Sequence, residues 1–94
     1  MDKVVVLFTM KGCPYCEQMK EQLIESKLEF VERDINEHEE EYDLFVEVTE
    51  NDYVPAFIII ESPEHEPKTH LFAPDRNFES IEDGVSIIKE HLGK

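Results

Sequence analysis

The 94-residue chain is poor in several residue types that mark particular classes of protein. It has no tryptophan, three glycines and five prolines, and no stretch has the composition of a flexible linker. Two cysteines are too few for the disulfide framework of a small secreted protein. No segment approaches the roughly 18 apolar residues of a membrane span, and the N-terminal stretch is too short for a signal peptide. We therefore expect a single soluble, cytoplasmic domain over residues 1–94.

Basic residues are also scarce: nine Lys and Arg stand against 23 Asp and Glu, for a formal net charge of −14. Proteins that bind nucleic acid or anionic lipid gain affinity from Lys and Arg, so this balance argues against both kinds of partner. An acidic body favours basic protein partners instead, and we expect turnover with such a partner to depend on salt concentration.

Hydrophobic periodicity predicts elements in the order β-α-β-α-β-β-α. Strands are expected at 3–9, 28–35, 55–61 and 68–72, and helices at 14–26, at 37–49 with Asn36 as N-cap, and after an N-cap at Asn77. A turn is expected at 62–67. Because helices separate the first three strands, we expect those strands to be parallel, with the fourth added by an antiparallel hairpin. The result is an α/β fold: a four-stranded mixed sheet with helices on both faces.

Both cysteines lie in the segment Cys13-Pro14-Tyr15-Cys16, where the first strand gives way to the first helix. Proline is favoured in a first helical turn, because its missing N–H would be unpaired there. Cys13 would then be the N-cap, where free N–H groups and the helix dipole favour its thiolate and lower its pKa, with Lys11 adding positive charge. Cys16, one turn later, would lie close enough to form a disulfide. The pattern predicts thiol–disulfide exchange, in which Cys13 attacks and Cys16 resolves the mixed disulfide.

Two other interpretations of the cysteine pair stay open at this point. A structural zinc ion needs four ligands, usually as two pairs at short spacing. The histidines are scattered and supply no second pair; they are His38, His65, His70 and His91. The cysteines could also be inert, buried helix residues. The Pro14-Tyr15 insert at a strand-to-helix junction argues against both interpretations.

In this context the Cys-Pro-Tyr-Cys tetrapeptide resembles the active site of dithiol glutaredoxins, within the thioredoxin superfamily, and the resemblance covers nearly the whole chain. Tyr53-Val54-Pro55 resembles the family's Val-Pro element, whose proline is cis and packs beside the active-site sulfurs. The resemblance implies a thioredoxin-like fold, with glutathione as electron donor and co-substrate. It also implies that Tyr15 lines the glutathione groove, that the Val54 backbone pairs with glutathione, and that Lys11 meets a glutathione carboxylate.

The segment after the fourth strand departs from the family pattern. Glutaredoxins usually have a Gly-Gly pair there, followed by an acidic residue, and this chain has neither glycine. Asp75 is expected to stand where the family's carboxylate meets the glutathione amine, and Arg76 is a further candidate to meet a glutathione carboxylate. Phe72 and Pro74 are expected to crowd the groove.

Three functions compete on these residues. Cys-Pro-Tyr-Cys favours a glutathione-dependent oxidoreductase that reduces protein disulfides and glutathione mixed disulfides. The missing glycines favour a related protein that a thioredoxin-reductase-type flavoenzyme recharges and that serves a dedicated partner such as ribonucleotide reductase. An iron–sulfur cluster carrier is disfavoured, because family members of that kind usually have Ser or Gly where this chain has Pro14. We expect a monomer with no metal and no tightly bound cofactor.

Overall fold

The computed structural model describes residues 3–61, 68–73 and 77–93. Within these ranges the chain forms its elements in the predicted order. They are β1 (Lys3–Thr9), α1 (Pro14–Glu25), β2 (Val31–Asp34), α2 (Glu39–Thr49), β3 (Ala56–Glu61), β4 (Lys68–Phe72) and α3 (Ile81–Leu92). The turn expected at 62–67 lies outside the described residues. Among the helices of the described ranges, none is long and apolar enough to cross a membrane.

The four strands form a mixed sheet in the order β2-β1-β3-β4. β2 is parallel to β1 and β4 is antiparallel to β3, as predicted. The prediction that β3 is parallel to the first two strands is wrong, because it pairs antiparallel with β1. A helix makes its flanking strands parallel only when it carries the chain back to the starting end of the sheet. Here the end of β2 lies opposite Thr9 and the start of β3 lies opposite Phe8. The segment that contains α2 therefore leaves and re-enters the sheet at the same edge.

Each face of the sheet is covered by helices, because alternate residues of the central strands point to opposite sides. On one face Val5 and Leu7 of β1 belong to a buried cluster with residues of α1 and α3. On the other face Phe8 packs against Tyr42 and Phe45 of α2, with ring centroids 5.5 and 5.3 Å apart. The predicted α/β architecture, a mixed four-stranded sheet of thioredoxin-like type, is confirmed.

The second helix begins later than predicted, and Asn36 is not its cap. The N-cap residue is His38, which makes no side-chain capping hydrogen bond. The Asn36 N–H instead donates to Asp34 Oδ1 at 2.8 Å, so the aspartate closes a turn at the end of β2. β2 is also shorter than expected, because the Leu28 N–H is bonded to the Leu23 carbonyl at 2.9 Å in the turn that ends α1.

The last helix is capped by Ser80 and not by Asn77. The Ser80 Oγ accepts a hydrogen bond of 3.1 Å from the Asp83 N–H, the bond that an N-cap side chain makes. Asn77 instead closes a loop back onto Ala73, whose N–H donates to Asn77 Oδ1 at 3.0 Å. Because Asn77 is engaged in this loop, α3 starts about one turn later than predicted. The residues around this start, from Glu79 to Glu82, border the candidate site.

The contact between α1 and α3 depends on a glycine. A Cβ atom at Gly84 would lie 3.1 Å from Met19 Cε and 3.3 Å from Phe78 Cδ2, and both of these residues are buried. Glycine lowers helix stability by about 1 kcal/mol relative to Ala, but here it allows α3 to approach α1 closely. Gly84 therefore helps to position the helix that carries both cysteines.

We expect Gly84→Val to lower the free energy of unfolding by about 1–3 kcal/mol, because the added atoms overpack the contact with Met19 and Phe78. Ser86→Val is the matched control, since Ser86 is exposed on the same helix. It should change the free energy of unfolding by less than about 0.5 kcal/mol. Urea denaturation measures both, and equal losses in the two variants would contradict this role of Gly84.

Candidate active site

The turn between β1 and α1 presents the two cysteines. Gly12 has a φ of 77°, in the left-handed region that favours glycine. Cys13 follows in an extended conformation as the N-cap of α1, and Pro14 stands in the first turn of the helix. The predicted place of the cysteine pair, at the junction of the first strand and first helix, is confirmed.

Cys13 and Cys16 are joined in a disulfide, with their Cα atoms 5.2 Å apart. The Cys16 N–H donates to Cys13 Sγ at 3.1 Å, so the sulfur occupies the place of an N-cap oxygen. Once the disulfide is reduced, first-turn N–H groups and the helix dipole stabilise a thiolate at this position. Cys13 is 7% exposed whereas Cys16 is fully buried, so a substrate reaches Cys13 first.

The Val54–Pro55 peptide bond is cis, as the resemblance implies. The antiparallel pairing sets Ala56, the first residue of β3, opposite Phe8 near the end of β1. This register brings the cis proline to the edge of the sheet at which the cysteines emerge. With the parallel pairing that the order of elements predicted, Pro55 would have started from the opposite edge.

A groove of about 510 Å³ runs from the cysteine motif to the start of α3. Two residues predicted to contact glutathione, Tyr15 and Val54, lie together in its wall with the cis Pro55. The rest of the wall is formed by Gln18, Tyr53, Phe78, Glu79, Ser80, Ile81 and Glu82. Tyr15 and Tyr53 are 63% and 60% exposed, so both rings are available to a ligand. The groove has the size range of a site for a small organic ligand.

Comparison with known proteins decides the family. A family model described as Glutaredoxin matches residues 5–61, which is more than half of the chain. The chain belongs to the glutaredoxin family. A glutaredoxin domain that holds its cysteine pair at this junction is a thiol–disulfide oxidoreductase.

Comparisons with individual proteins support only the assignment of the fold. No curated protein sequence matches the chain. A solved structure described as "Structure of a malarial protein" is similar to this glutaredoxin with a TM-score of 0.55 and 16% identity. The alignment covers 98% of this chain and 99% of that chain, so the likeness extends over the whole fold.

Other residues predicted for the glutaredoxin site are distributed differently. Lys11 is exposed in the turn before Cys13 and is not part of the groove wall. Asp75 and Arg76 lie outside the described residues, as does Pro74. Their roles toward glutathione stay predictions.

The expectation that Phe72 crowds the groove is wrong. Its ring stacks on Phe57 with centroids 4.8 Å apart and meets the ring of His91 at 5.6 Å. These contacts hold Phe72 against the cluster beneath α1 and α3, and it does not appear in the groove wall. Although the family's paired glycines are absent, the Phe72 side chain therefore does not block the groove.

Two carboxylates of the groove wall, Glu79 and Glu82, were not predicted from the sequence. Both flank Ser80, the N-cap of α3, whereas the sequence pattern predicts the cap at Asn77. The pattern Ser80-x-x-Asp83 is typical of a helix start and could have found them. The described wall contains no Lys or Arg, so its electrostatic character is acidic.

A hydrogen-bonded network links α1 to the strands β1 and β2. Glu32 of β2 accepts hydrogen bonds from Thr9 Oγ1 at 2.7 Å and from Lys20 Nζ at 3.1 Å. Lys20 also pairs with Glu17 at 2.9 Å. The Thr9 hydrogen bond is the main cause that holds the pKa of Glu32 below its usual value, and the Glu17 hydrogen bond is the main cause that raises the pKa of Lys20. The network joins the end of β1 to the helix that begins at Cys13.

We expect Glu32→Gln to lower stability at neutral pH by up to about 1 kcal/mol, since the network is largely exposed. A lowered pKa means that Glu32 stabilises the fold above pH 4.5, and that this contribution is lost as the pH falls through the lowered value. The difference from wild type should therefore vanish in acid. Urea denaturation across this pH range measures it, with Glu47→Gln at an exposed site of α2 as control. A difference that persists unchanged in acid would refute the role given to the Glu32 carboxylate.

Proposed function

We propose that this glutaredoxin reduces protein disulfides and glutathione mixed disulfides, with glutathione as its electron donor. The observation that carries the proposal is the groove that joins Tyr15 of the cysteine motif, the cis Pro55 and the start of α3. Its volume of about 510 Å³ suits an extended tripeptide whose sulfur meets Cys13 at one end.

Cys13 is the nucleophile in the proposed reaction. Its thiolate attacks the glutathione sulfur of a mixed disulfide, forms a Cys13–glutathione disulfide and releases the substrate as a thiol. A second glutathione thiolate then attacks that bond, which frees Cys13 and releases glutathione disulfide. The N-cap position supports this role, because the N–H of Cys16 already points at the Cys13 sulfur.

Cys16 is the resolving thiol for protein disulfides. After Cys13 forms a mixed disulfide with a protein, Cys16 attacks Cys13, releases the reduced protein and closes the intramolecular bridge. Two glutathione molecules then reduce that bridge and leave as glutathione disulfide. The Cα separation of 5.2 Å supports closure without movement of the backbone.

Binding of glutathione is assigned to the groove wall. The backbone of Val54 pairs with the tripeptide, the Tyr15 ring covers it, and Lys11 meets a carboxylate from the turn. The start of α3 favours the other carboxylate, because the first-turn N–H groups and the dipole there attract an anion. We also assign contacts with glutathione to Asp75, whose carboxylate would meet the amine, and to Arg76, which would meet a carboxylate.

A second function is favoured by the acidity of the wall. Glutathione carries a net negative charge, and Glu79 and Glu82 oppose it, so a basic protein segment is the better electrostatic match. In this alternative a thioredoxin-reductase-type flavoenzyme recharges the protein, which serves a dedicated partner such as ribonucleotide reductase. The missing glycines support this alternative less than expected, since Phe72 packs away from the groove.

We also propose a cellular setting for the protein. A dithiol pair of this kind works in a reducing compartment, so we place the protein in the cytoplasm. We propose that it acts as a monomer and holds no tightly bound cofactor, glutathione being a co-substrate.

We expect robust turnover of a glutathionylated peptide with glutathione, glutathione reductase and NADPH, followed by NADPH absorbance. Cys13→Ser should abolish turnover, because it removes the nucleophile. Cys16→Ser should retain turnover of the mixed disulfide but lose reduction of a protein disulfide, because only the second reaction needs the resolving thiol.

The alternative donor is tested with the same preparation. Wild type that is idle with glutathione but reduces a protein disulfide when supplied with thioredoxin reductase would overturn the glutathione proposal and support the flavoenzyme route. Loss of mixed-disulfide turnover in Cys16→Ser together with its retention in Cys13→Ser would reverse the assigned roles.

We expect the double variant Glu79→Gln/Glu82→Gln to raise kcat/KM for the glutathionylated peptide by about two- to tenfold at low salt, because it removes two charges that repel glutathione. The gain should shrink as salt screens the remaining field. The matched control is Glu39→Gln/Glu40→Gln on α2, which changes the net charge equally but lies away from the groove wall. An equal gain in both double variants would mean that the overall charge, and not the groove, limits the reaction.

A further inference from the structure

Three side chains that bind metal ions in many proteins converge at the edge of the sheet opposite the cysteines. Glu61 ends β3, His70 lies within β4, and His91 lies in the last turn of α3. One ligand atom from each lies within 4.8 Å of the other two. The register sets Glu61 opposite Lys3, at the start of the strand that leads to Cys13 at its far end.

The distances in this cluster approach those of a tetrahedral zinc site. His70 Nε2 lies 3.5 Å from Glu61 Oε2, and His91 Nδ1 lies 4.0 Å from Glu61 Oε1. Zinc bonds of about 2.0–2.2 Å to nitrogen and oxygen place neighbouring ligand atoms roughly 3.4 Å apart. Small side-chain rotations would therefore bring the three atoms around one ion. Imidazole favours zinc over the hard cations calcium and magnesium.

The surroundings of the two rings support the same interpretation. His70 Nε2 is buried and makes no hydrogen bond within the described ranges, with Glu61 Oε2 3.5 Å away, so this ring nitrogen is available to a metal ion. The rings of His70 and His91 lie 5.1 Å apart, and Phe72 packs against His91, so both imidazoles are held in place. His91 also stands at the C-terminal end of α3, where the helix dipole favours a cation.

A lysine faces the cluster and would compete with an ion. Lys3 Nζ lies 3.4 Å from Glu61 Oε1 and donates to the backbone carbonyl of His91. Its side chain is 30% exposed, so it has a path into solvent. The net charge of −14 favours the exchange of this one bound ammonium group for a divalent ion.

We propose that Glu61, His70 and His91 form a zinc-binding site, with water as the fourth ligand. The site joins the end of α3 to β3 and β4, at the opposite edge of the sheet from the redox centre. Zinc bound there stabilises the folded chain, because the unfolded chain does not hold the three ligands together.

The test titrates tag-free, oxidised protein with zinc chloride in a calorimeter. Oxidation keeps Cys13 and Cys16 in their disulfide, so neither thiolate can bind the metal. We expect one zinc ion per chain and a rise in Tm with zinc concentration. His70→Ala and His91→Ala should each weaken binding by at least about tenfold, whereas His38→Ala should bind as wild type does.

His38 is a suitable control because it is also part-buried and also lies near a glutamate, with Nδ1 4.0 Å from Glu41 Oε1. Absence of saturable binding, or equal weakening in all three histidine variants, would overturn the proposal. A cooperative thermal unfolding transition of each variant without zinc verifies that it is folded.

A second variant tests the carboxylate ligand without removing a histidine. Lys3→Gln should tighten zinc binding by several-fold, because the ion then has no ammonium group to displace from Glu61. Glu61→Gln should weaken zinc binding by at least about tenfold. Wild-type affinity in Glu61→Gln would remove Glu61 from the ligand set and overturn the three-residue site. The absorption spectrum of the cobalt-substituted protein gives an independent readout, since tetrahedral and octahedral cobalt differ strongly in intensity.

Discussion

The hydrogen bond from the Cys16 N–H to the Cys13 sulfur is the contact on which the rest of the site depends. It makes a cysteine the N-cap of α1, a place that oxygen side chains usually occupy. The sulfur there lies at the positive end of the helix dipole. The dipole stabilises a Cys13 thiolate only while α1 is held in this position. The Glu32 network holds α1 from the side of β2, and the close approach at Gly84 holds it from the side of α3.

The antiparallel direction of β3 determines which residues lie near the Cys13 sulfur. Because α2 returns the chain to the edge from which it left, the cis Pro55 arrives beside the cysteine motif and α3 starts nearby. These segments enclose a groove whose described wall carries carboxylates and no basic side chain. At the opposite edge of the same sheet, the end of β3 lies beside β4 and the end of α3. This arrangement brings Glu61 close to His70 and His91. A single topological feature thus separates the redox centre from the proposed metal site.

Local patterns in the sequence were sufficient for most of the fold. Helical spacing and β-branched runs predicted the elements, and the position of Pro14 predicted that Cys13 caps α1. The antiparallel direction of β3 was missed because it depends on where α2 delivers the chain, which no local pattern encodes. The sequence does not place Glu79 and Glu82 at the groove, because its pattern predicts a helix cap at Asn77 and the structure has the cap at Ser80. The convergence of Glu61, His70 and His91 depends on strand register and on the packing of α3, and spacing along the chain does not reveal it.

The pH dependence of alkylation tests most directly whether the N-terminus of α1 makes Cys13 the reactive thiol. Reduced protein is treated with iodoacetamide over a range of pH, and mass spectrometry follows each cysteine separately. We expect Cys13 to react first, with a rate that is half-maximal well below the pKa of about 8.5 of an ordinary thiol, while Cys16 is protected by burial. Half-reaction of Cys13 near this ordinary value, or faster alkylation of Cys16, would contradict it.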